Sequence, residues 1–252
     1  MNPSKICGAV KTVLSPLLSK DGKKESCCAI LLAAGSGSRM GGVPKCFLPL
    51  GDSTVLGYSL RAFSLCHYVH EIVVVTKQEW VEDTKTWISS EKFDKVSAVV
   101  VGGDTRQKSA ANGFYAASSR FSYVAIHDAA RPFIKTDDIT QIFEAAFQYQ
   151  AGCAAHPVTD TIKTVNSKGM ITSTVPRKNL FAVQTPQIFK KTLYEAALAV
   201  MKKENSMVTD DCMMAEHAGF TVKLVDIGHY NIKLTTPEDY ALAKAKLAME
   251  DI

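Results

Sequence analysis

The sequence predicts an α/β fold of three layers, in which helices cover both faces of a mostly parallel sheet. Two observations carry this prediction. From residue 29 onwards, short apolar segments rich in β-branched residues alternate with amphipathic segments of helical spacing, which is typical of strand–helix–strand crossover units. Polar, glycine-rich clusters also follow several of the apolar segments directly, and ligands of parallel sheets bind at such strand ends.

The composition is that of an ordinary globular protein. The 252 residues are 46% hydrophobic and 21% charged, and the formal net charge is +4. No apolar run approaches the roughly 20 residues that a membrane span requires, and no dense Lys/Arg tract indicates a nucleic-acid surface. We therefore expect neither a membrane nor a nucleic acid as a partner.

Seven cysteines are scattered along the chain, and none of them forms a C-x-x-C motif. Their odd number and their position within apolar segments favour reduced thiols in a cytoplasmic protein over a zinc site.

Residues 1–27 differ from the rest, since they carry five lysines against two acidic residues. Ser15 and Pro16 interrupt their short apolar patch, which argues against a secretory signal. A flexible extension is the preferred interpretation. A remnant of a plastid transit peptide stays open, although the segment contains no arginine. Residues 28–252 are predicted to form a single domain.

The first predicted strand, Ala29–Ala34, runs into a loop rich in glycine. Gly35 and Gly37 allow backbone N–H groups to approach a phosphate closely. Arg39 and Lys45 add two cations that suit a polyphosphate. The spacing matches neither the dinucleotide fingerprint nor a P-loop. A phosphate-binding loop is therefore predicted, with an ordinary glycine-rich turn as the alternative.

Three further strands and their helices follow in alternation. They are predicted at Thr54–Leu65 (helix), Glu71–Thr76 (strand), Glu79–Ser89 (helix), Val96–Val101 (strand), Arg106–Ala117 (helix) and Tyr123–His127 (strand). Polar clusters follow two of these strands, at 102–109 and at 127–132. Because the carboxyl ends of parallel strands share one sheet edge, we expect these clusters and the glycine loop to form one site.

The pattern changes from Ala151 onwards. An apolar strand at 151–158 is followed by a predicted hairpin at 158–176, which lies outside the main sheet as a protruding arm. An isolated hairpin is marginally stable, so a second subunit is expected to cover it. The remaining predictions are a strand at Leu180–Gln184, a helix at Lys190–Lys203, a helix capped by Thr209–Asp211 and ending at Ala218, a strand at Thr221–Asp226, and a last helix with Thr236 at its N-cap.

Several sequence blocks stand in a characteristic order. They are Ala-Ala-Gly-Ser-Gly-Ser-Arg-Met-Gly at 33–41, Gly-Gly-Asp-Thr-Arg-Gln-Lys-Ser at 102–109, His-Asp-Ala-Ala-Arg-Pro at 127–132, and later blocks at 157–163, 184–187, 209–211 and 231–233. Together they resemble the 2-C-methyl-D-erythritol 4-phosphate cytidylyltransferase family. The resemblance implies a Rossmann-like (GT-A-like) nucleotidyltransferase. Such an enzyme transfers a cytidylyl group from CTP to methylerythritol phosphate in isoprenoid precursor synthesis.

The resemblance also implies a role for each matching residue. The catalytic pair would be Arg39 and Lys45; the CTP-binding residues would be Ala33, Ala34, Gly35, Gly37, Gly103, Asp104, Ser109, Asp128 and Ala129; the acceptor-binding residues would be Asp128, Arg131, Thr161, Arg177, Thr185 and Lys233. Mg²⁺ would be held mainly by the CTP phosphates, with Asp128 as a weak protein ligand. The arm would exchange between the subunits of a homodimer.

Two positions depart from the family pattern. Five residues separate Arg39 from Lys45 where six are usual, and Cys46 stands where Gln is common. A cytidylyltransferase for another polyol phosphate, such as ribitol 5-phosphate, is the nearest alternative function. An NAD-dependent oxidoreductase and a nucleotide-sensing module are disfavoured.

Four further polar side chains have structural interpretations. His127 is interpreted as a hydrogen-bonded interior histidine, Arg106 as a residue of a first helical turn, and the pair Asp210 and Asp211 as helix-capping residues.

Overall fold

The computed structural model describes residues 25–35, 44–204 and 208–250. Its strands and helices are β1 (Cys27–Leu32), β2 (Pro49–Leu50), β3 (Ser53–Thr54), α1 (Val55–Leu65), β4 (Val69–Thr76), α2 (Val81–Ser90), β5 (Val96–Val101), α3 (Arg106–Ala116), β6 (Tyr123–Asp128), α4 (Thr136–Tyr149), β7 (Ala151–Pro157), β8 (Ile162–Val165), β9 (Ile171–Val175), β10 (Phe181–Lys190), α5 (Lys191–Glu204), α6 (Asp211–His217), β11 (Lys223–Asp226) and α7 (Pro237–Glu250). None of the described helices is long and apolar enough to cross a membrane.

The central sheet is mixed and mostly parallel, as the sequence predicts. Its strand order is β11-β7-β10-β6-β1-β4-β5. Strand β1 pairs in parallel with both β4 and β6, and β4 pairs in parallel with β5. Strand β10 is antiparallel to both of its neighbours. The carboxyl ends of β1, β4, β5 and β6 therefore meet at one edge.

The alternation of side chains along β1 explains the three layers, because successive residues of a strand point to opposite faces. Cys27, Ala29 and Leu31 pack in a core with residues of α1, α2 and α4. Cys28 and Ile30 pack on the other face with residues of α3, α5 and α6. Every side chain of this strand is buried, as expected for a strand that is covered on both faces.

Side-chain caps fix where helices begin. Thr105 precedes α3, and its Oγ1 accepts a hydrogen bond of 3.1 Å from the Lys108 amide. Asp210 precedes α6 and accepts one of 2.8 Å from the Met213 amide. Such caps satisfy N–H groups that lack partners within the helix. The capping role predicted for Asp210 is confirmed.

A third, smaller core cluster fixes the segment after β11. Leu234 is fully buried and packs with Leu50, Val55 and Phe133. Residues of α7 complete this cluster. The Leu234 amide also donates to the Ala130 carbonyl over 2.8 Å. These contacts hold residues 231–235 against the end of β6.

The structure differs from the sequence predictions at several elements. The short strands β2 and β3 were not predicted. Strand β1 begins at Cys27, two residues before the predicted strand and one before the predicted domain boundary. Helix α4 was not predicted, although Ile139, Ile142 and Phe143 are buried along one face of it. Strand β10 extends to Lys190 instead of ending at Gln184.

Strand β10 is longer than predicted because it continues past an irregularity in its pairing. Pro186 has no N–H and therefore interrupts a regular ladder, and the pairing with β7 shifts register between Val183 and Gln187. The strand continues beyond this point, where Ile188 and Phe189 are fully buried.

The arm is a separate antiparallel pair of strands, β8 and β9, as predicted. In its turn, Asn166 Oδ1 accepts hydrogen bonds of 3.0 Å from the amides of Lys168 and Met170. Gly169 has a φ of +76°, which only glycine adopts at little cost.

Candidate active site at the carboxyl edge of the sheet

A cleft of about 530 Å³ lies at the edge where β1, β4, β5 and β6 end. Of the residues predicted from the sequence, Ala34, Gly35, Lys45, Gly103, Asp104, Ser109, Asp128 and Lys233 line it. The sequence reasoning therefore placed residues from four separate segments in one site. Gly37 and Arg39 lie outside the described residues.

The first wall of the cleft is formed by the end of β1 and by Lys45. The ladder continues one residue beyond the strand, since the Ala33 amide donates to the Val75 carbonyl over 2.7 Å. A Cβ placed on Gly35 would lie 3.8 Å from Lys45 Cε. The lysine side chain thus passes beside the glycine backbone, and the two residues form one surface.

The second wall is the tight turn after β5. Ser109 Oγ accepts a hydrogen bond of 3.0 Å from the Gly103 amide and donates one of 2.9 Å to the Thr105 carbonyl. A Cβ on Gly102 would lie 2.6 Å from Ala34 Cβ, so no side chain fits there without a shift. The turn therefore presents backbone to the cleft, and Ser109 fixes its conformation.

Asp128, the last residue of β6, forms the acidic centre of the cleft. Its Oδ1 accepts a hydrogen bond of 3.1 Å from Arg106 Nε, and its Oδ2 accepts one of 2.6 Å from Lys233 Nζ. Burial by itself would raise the pKa of Asp128, but the two cations outweigh burial and hold the pKa well below its ordinary value. The group is thus a carboxylate.

Arg106 joins this carboxylate to a second one. Its Nη1 donates a hydrogen bond of 2.6 Å to Asp211 Oδ2, and Tyr194 Oη donates one of 2.8 Å to Asp211 Oδ1. Burial lowers the pKa of Arg106, but Asp211 and Asp128 raise it further, so that the guanidinium stays charged. The interpretation of Arg106 as a first-turn residue was correct but incomplete, because the bridge to Asp211 spans 105 positions.

A buried hydrogen-bond chain supports Asp128 from behind. The Asp128 amide donates to Thr185 Oγ1 over 3.0 Å, and Thr185 Oγ1 lies 3.1 Å from His127 Nδ1. His127 Nε2 lies 3.3 Å from the Arg131 carbonyl, which can only accept, so Nε2 is the protonated nitrogen of the neutral imidazole. Nδ1 therefore accepts, and we infer that the Thr185 hydroxyl donates to it.

His127 is an interior histidine, as interpreted from the sequence. It is fully buried, and burial lowers its pKa to about 3. The imidazole is therefore neutral near pH 7 and supports the strand end.

Arg131 and Thr185, both predicted to contact the acceptor, hold the 231–235 segment here. Arg131 Nη1 donates a hydrogen bond of 2.8 Å to the Asn231 carbonyl. Asn231 Nδ2 donates to the Thr185 carbonyl over 2.9 Å and to Gln184 Oε1 over 3.0 Å. This network places Lys233, two residues further on, beside Asp128.

Other predicted residues lie away from the walls of the cleft. Ala33 and Ala129 are buried beside strand ends. Thr161 and Arg177 belong to the arm region and are exposed. Arg177 Nη1 donates to the Thr159 carbonyl, which fixes it to the base of the arm.

The cleft also contains polar residues that the sequence reasoning did not assign to it. Lys77, Gln78 and Glu79 follow β4 and line the cleft together with Arg106. The position of these residues at a strand end was a usable signal, because β4 is parallel to β1.

Among the described residues, the cleft offers few protein ligands for a divalent cation. Within 25–35, 44–204 and 208–250, no group of three or more His, Cys, Asp or Glu residues could hold a metal ion. Asp128 provides one carboxylate in the cleft. Mg²⁺ is usually bound through one or two carboxylates, substrate phosphates and retained waters. The residues therefore fit a magnesium ion that arrives with a phosphate ligand.

Comparisons with known proteins show the family that this chain resembles. The sequence model of the family 2-C-methyl-D-erythritol 4-phosphate cytidylyltransferase matches residues 27–249. A curated protein of that name from Lachnospira eligens is 39% identical over 219 residues, covering 85% of this chain and 96% of the relative. One from Clostridium botulinum is 40% identical over 216 residues, covering 85% and 94%.

Solved structures show the same similarity. The 4-diphosphocytidyl-2C-methyl-D-erythritol synthase from Anaerococcus prevotii superimposes with a TM-score of 0.80 at 30% identity, covering 89% of this chain and 97% of that one. The 2-C-methyl-D-erythritol 4-phosphate cytidylyltransferase from Thermus thermophilus has a TM-score of 0.72 at 30% identity, with coverages of 87% and 98%.

Proposed function

This chain belongs to the 2-C-methyl-D-erythritol 4-phosphate cytidylyltransferase family, and we propose that the cleft at the carboxyl edge of its sheet is where it carries out the family's reaction. The enzyme transfers a cytidylyl group from CTP to 2-C-methyl-D-erythritol 4-phosphate. The products are 4-diphosphocytidyl-2-C-methyl-D-erythritol and pyrophosphate, and the reaction serves isoprenoid precursor synthesis.

One observation supports this placement above the others. A carboxylate, Asp128, and two cations, Arg106 and Lys233, lie in the same cleft as Lys45 and the Gly102–Gly103 backbone. Clustered charges at a strand end are costly unless they are paired or serve a ligand. Phosphate-bearing substrates match this distribution of cations.

In the proposed arrangement, CTP lies across the ends of β1 and β5. Ala33, Ala34, Gly35 and Gly37 bind its phosphates, while the turn at Gly103 and Asp104 and the hydroxyl of Ser109 bind the cytosine. Asp128 and Ala129 lie near the ribose. The backbone exposed by the Gly102–Gly103 turn supports this placement, because a flat base can approach it closely.

The acceptor is proposed to lie on the side of Asp128 that faces away from CTP. Lys233 and Arg131 would bind its phosphate, and Thr185 would support this end of the cleft. Thr161 and Arg177, which are exposed on the arm region, would reach the acceptor bound by a partner subunit.

The proposed chemistry is an in-line displacement. An oxygen of the acceptor phosphate attacks the α-phosphorus of CTP, and the bond from that phosphorus to the β-phosphate oxygen breaks to release pyrophosphate. The nucleophile is already anionic near pH 7, so the reaction needs no general base. Buried, neutral His127 is consistent with this. Catalysis then rests on positioning and on charge stabilisation by Lys45 and Arg39.

Magnesium is the proposed cofactor. Asp128 would supply the protein's carboxylate ligand, and the phosphate oxygens of CTP would supply further ligands. Bound in this way, the ion neutralises part of the phosphate charge.

A homodimer formed through the arm is the proposed assembly. Val165, Met170 and Ile171 are 57%, 65% and 64% exposed. Exposed apolar side chains clustered on one projection are typical of an interaction surface. A partner subunit would cover them.

The cytoplasm is the proposed location. The relatives named above are bacterial. Six cysteines in the described part of the chain are buried free thiols, which suits a reducing compartment.

The acceptor assay tests the function directly. Purified protein is incubated with CTP, Mg²⁺ and either methylerythritol phosphate or ribitol 5-phosphate, and pyrophosphate release is measured against a control without acceptor. We expect release with methylerythritol phosphate and far less with ribitol 5-phosphate. The reverse ranking would overturn the acceptor assignment but not the reaction class.

A further inference from the structure

The two cations on Asp128 are held in different ways. Lys233 has a side chain that is 36% exposed, and among the described residues it donates to Asp128 alone. Arg106 is 27% exposed and has a second partner, Asp211, whose side chain is only 2% exposed. Arg106 is therefore held by a second, buried carboxylate, whereas Lys233 is held by Asp128 only.

Asp211 is itself fixed by its surroundings. Tyr194 donates to one of its carboxylate oxygens, and Gln187 Oε1 accepts hydrogen bonds of 3.0 Å from the amides of Asp211 and Cys212. These residues belong to α5, β10 and α6. The Arg106 guanidinium thus receives its orientation from three packed elements.

Both carboxylates of this cluster are paired within the chain. Asp128 and Asp211 form ion pairs with Arg106, and Asp128 also pairs with Lys233. A phosphate that enters the cleft competes with Asp128 for Lys233. A buried carboxylate that loses its ion-pair partner is strongly destabilising. Arg106 is the ion-pair partner that remains on Asp128 when Lys233 leaves.

We propose that Asp211 is a positioning residue that acts through Arg106. It holds the guanidinium on Asp128, and Lys233 is thereby able to leave Asp128 and pair with the acceptor phosphate. This inference rests on the proposed function of the cleft. Asp211 would thus influence the reaction although it does not line the cleft.

The orphaned donor of Arg106 supports the assignment. Arg106 Nη2 is buried and has no hydrogen-bond partner among the described residues. A buried donor without a partner costs free energy. The guanidinium nevertheless keeps this orientation, in which only Nε and Nη1 have hydrogen-bond partners. The two carboxylates therefore set the orientation of Arg106.

The central experiment compares Asp211→Asn with Asp210→Asn. Both substitutions lie at the start of α6, but Asp210 contacts Gln187 and the Met213 amide instead of Arg106, and asparagine also caps helices. For each variant, CTP affinity is measured without acceptor, and kcat/KM for methylerythritol phosphate is measured at saturating CTP.

We expect Asp211→Asn to lower kcat/KM for the acceptor by at least about tenfold, because small misplacements of catalytic groups are costly. CTP affinity should stay within about twofold, since Lys233 still pairs with Asp128 when no acceptor is present. Asp210→Asn should resemble the wild type in both measurements.

A purely structural role for Asp211 predicts a different result. CTP affinity and acceptor kcat/KM would then fall together, and this outcome would overturn the proposal, as would the absence of any change. Arg106→Lys serves as the second variant if Asp211→Asn does not fold, because one ammonium cannot bridge two carboxylates as a guanidinium does. It should show the same selective loss. Wild-type turnover in the same assay tests the proposed function separately.

Discussion

The cleft and the arm use their side chains in opposite ways. Asp128 in the cleft and Asp211 behind it are almost completely buried, and each is paired with a cation of the same chain. On the arm, Val165 and Ile171 are more than half exposed, although both are apolar. The cleft therefore satisfies its charges within one chain, whereas the arm leaves apolar surface that a second chain can cover.

Substitutions in the two regions should therefore differ in whether their effect depends on protein concentration. Substitutions in the cleft should act on turnover or on nucleotide affinity at any protein concentration. Substitutions on the arm should act through association, so that their effect depends on protein concentration.

The largest effect is expected from Lys45→Ala. Removal of one preorganised charge-stabilising group typically costs about 2.7–4 kcal/mol in the transition state, or a loss of roughly 10²–10³ in kcat. Steady-state pyrophosphate release measures it, and circular dichroism checks the fold. Lys85→Ala is the matched control, because Lys85 lies on α2 and pairs with Glu82 at the surface. Near-normal turnover of Lys45→Ala would remove this lysine from the catalytic pair.

Ile171→Asp tests the arm. A charge on the exposed apolar surface should oppose association, and we expect a shift from dimer to monomer in light scattering with a loss of at least about tenfold in kcat/KM. Leu65→Asp is the control, since Leu65 is 75% exposed at the end of α1. A fully active monomer would contradict the proposed contribution of Thr161 and Arg177 across the dimer.

Gly103→Ala sharpens the comparison at the nucleotide wall. The added Cβ would lie 2.4 Å from Lys108 Cβ, so the turn must move. We expect CTP affinity to fall about fivefold, equivalent to about 1 kcal/mol. Gly169→Ala, at the tip of the arm, strains a positive φ but has open space around it, and it should leave CTP affinity unchanged. Equal effects of the two substitutions would show that this turn is not specific to the nucleotide.

A separate effect concerns the stability of the fold below neutral pH and not activity. The pKa of His127 is about 3 in the folded chain against an ordinary value of 6.5, so the unfolded chain takes up the proton first as the pH falls. The free energy of unfolding should therefore decline from about pH 6.5 downwards, by about 2 kcal/mol at pH 5 from this group. Denaturant titrations at both pH values measure this decline.

His127→Gln should show a shallower decline over that interval. His67→Gln, at an exposed position after α1, should follow the wild type. Identical pH dependence of His127→Gln and the wild type would mean that burial of His127 has little influence on stability.

Much of the cleft could be predicted because it is assembled from local signals. The strands, the glycine turns and the cluster after β6 each occupy a short stretch of sequence, and parallel pairing brings their ends together. The role of Arg106 could not be predicted in this way. Its partner Asp211 is 105 residues away, and no spacing rule connects a first helical turn with a later one.

Two elements of the fold, β10 and α4, were misjudged for different reasons. Strand β10 contains Pro186, which local rules treat as the end of a strand, whereas its neighbours β6 and β7 maintain the pairing on the far side. Helix α4 has a clear apolar face, so its omission was an error of interpretation and not a limit of the sequence.

The arm is inserted between two strands that are neighbours in the main sheet. Pro157, at the end of β7, lies opposite Phe181, at the start of β10, in an antiparallel register. The chain therefore leaves and re-enters the sheet at adjacent positions, and a short turn suffices to close the gap. Residues 158–180 could therefore be replaced as a unit by a hairpin turn of two to five residues, which is the usual connection for such a pair of strands. The hydrogen bonds between β7 and β10 would be retained.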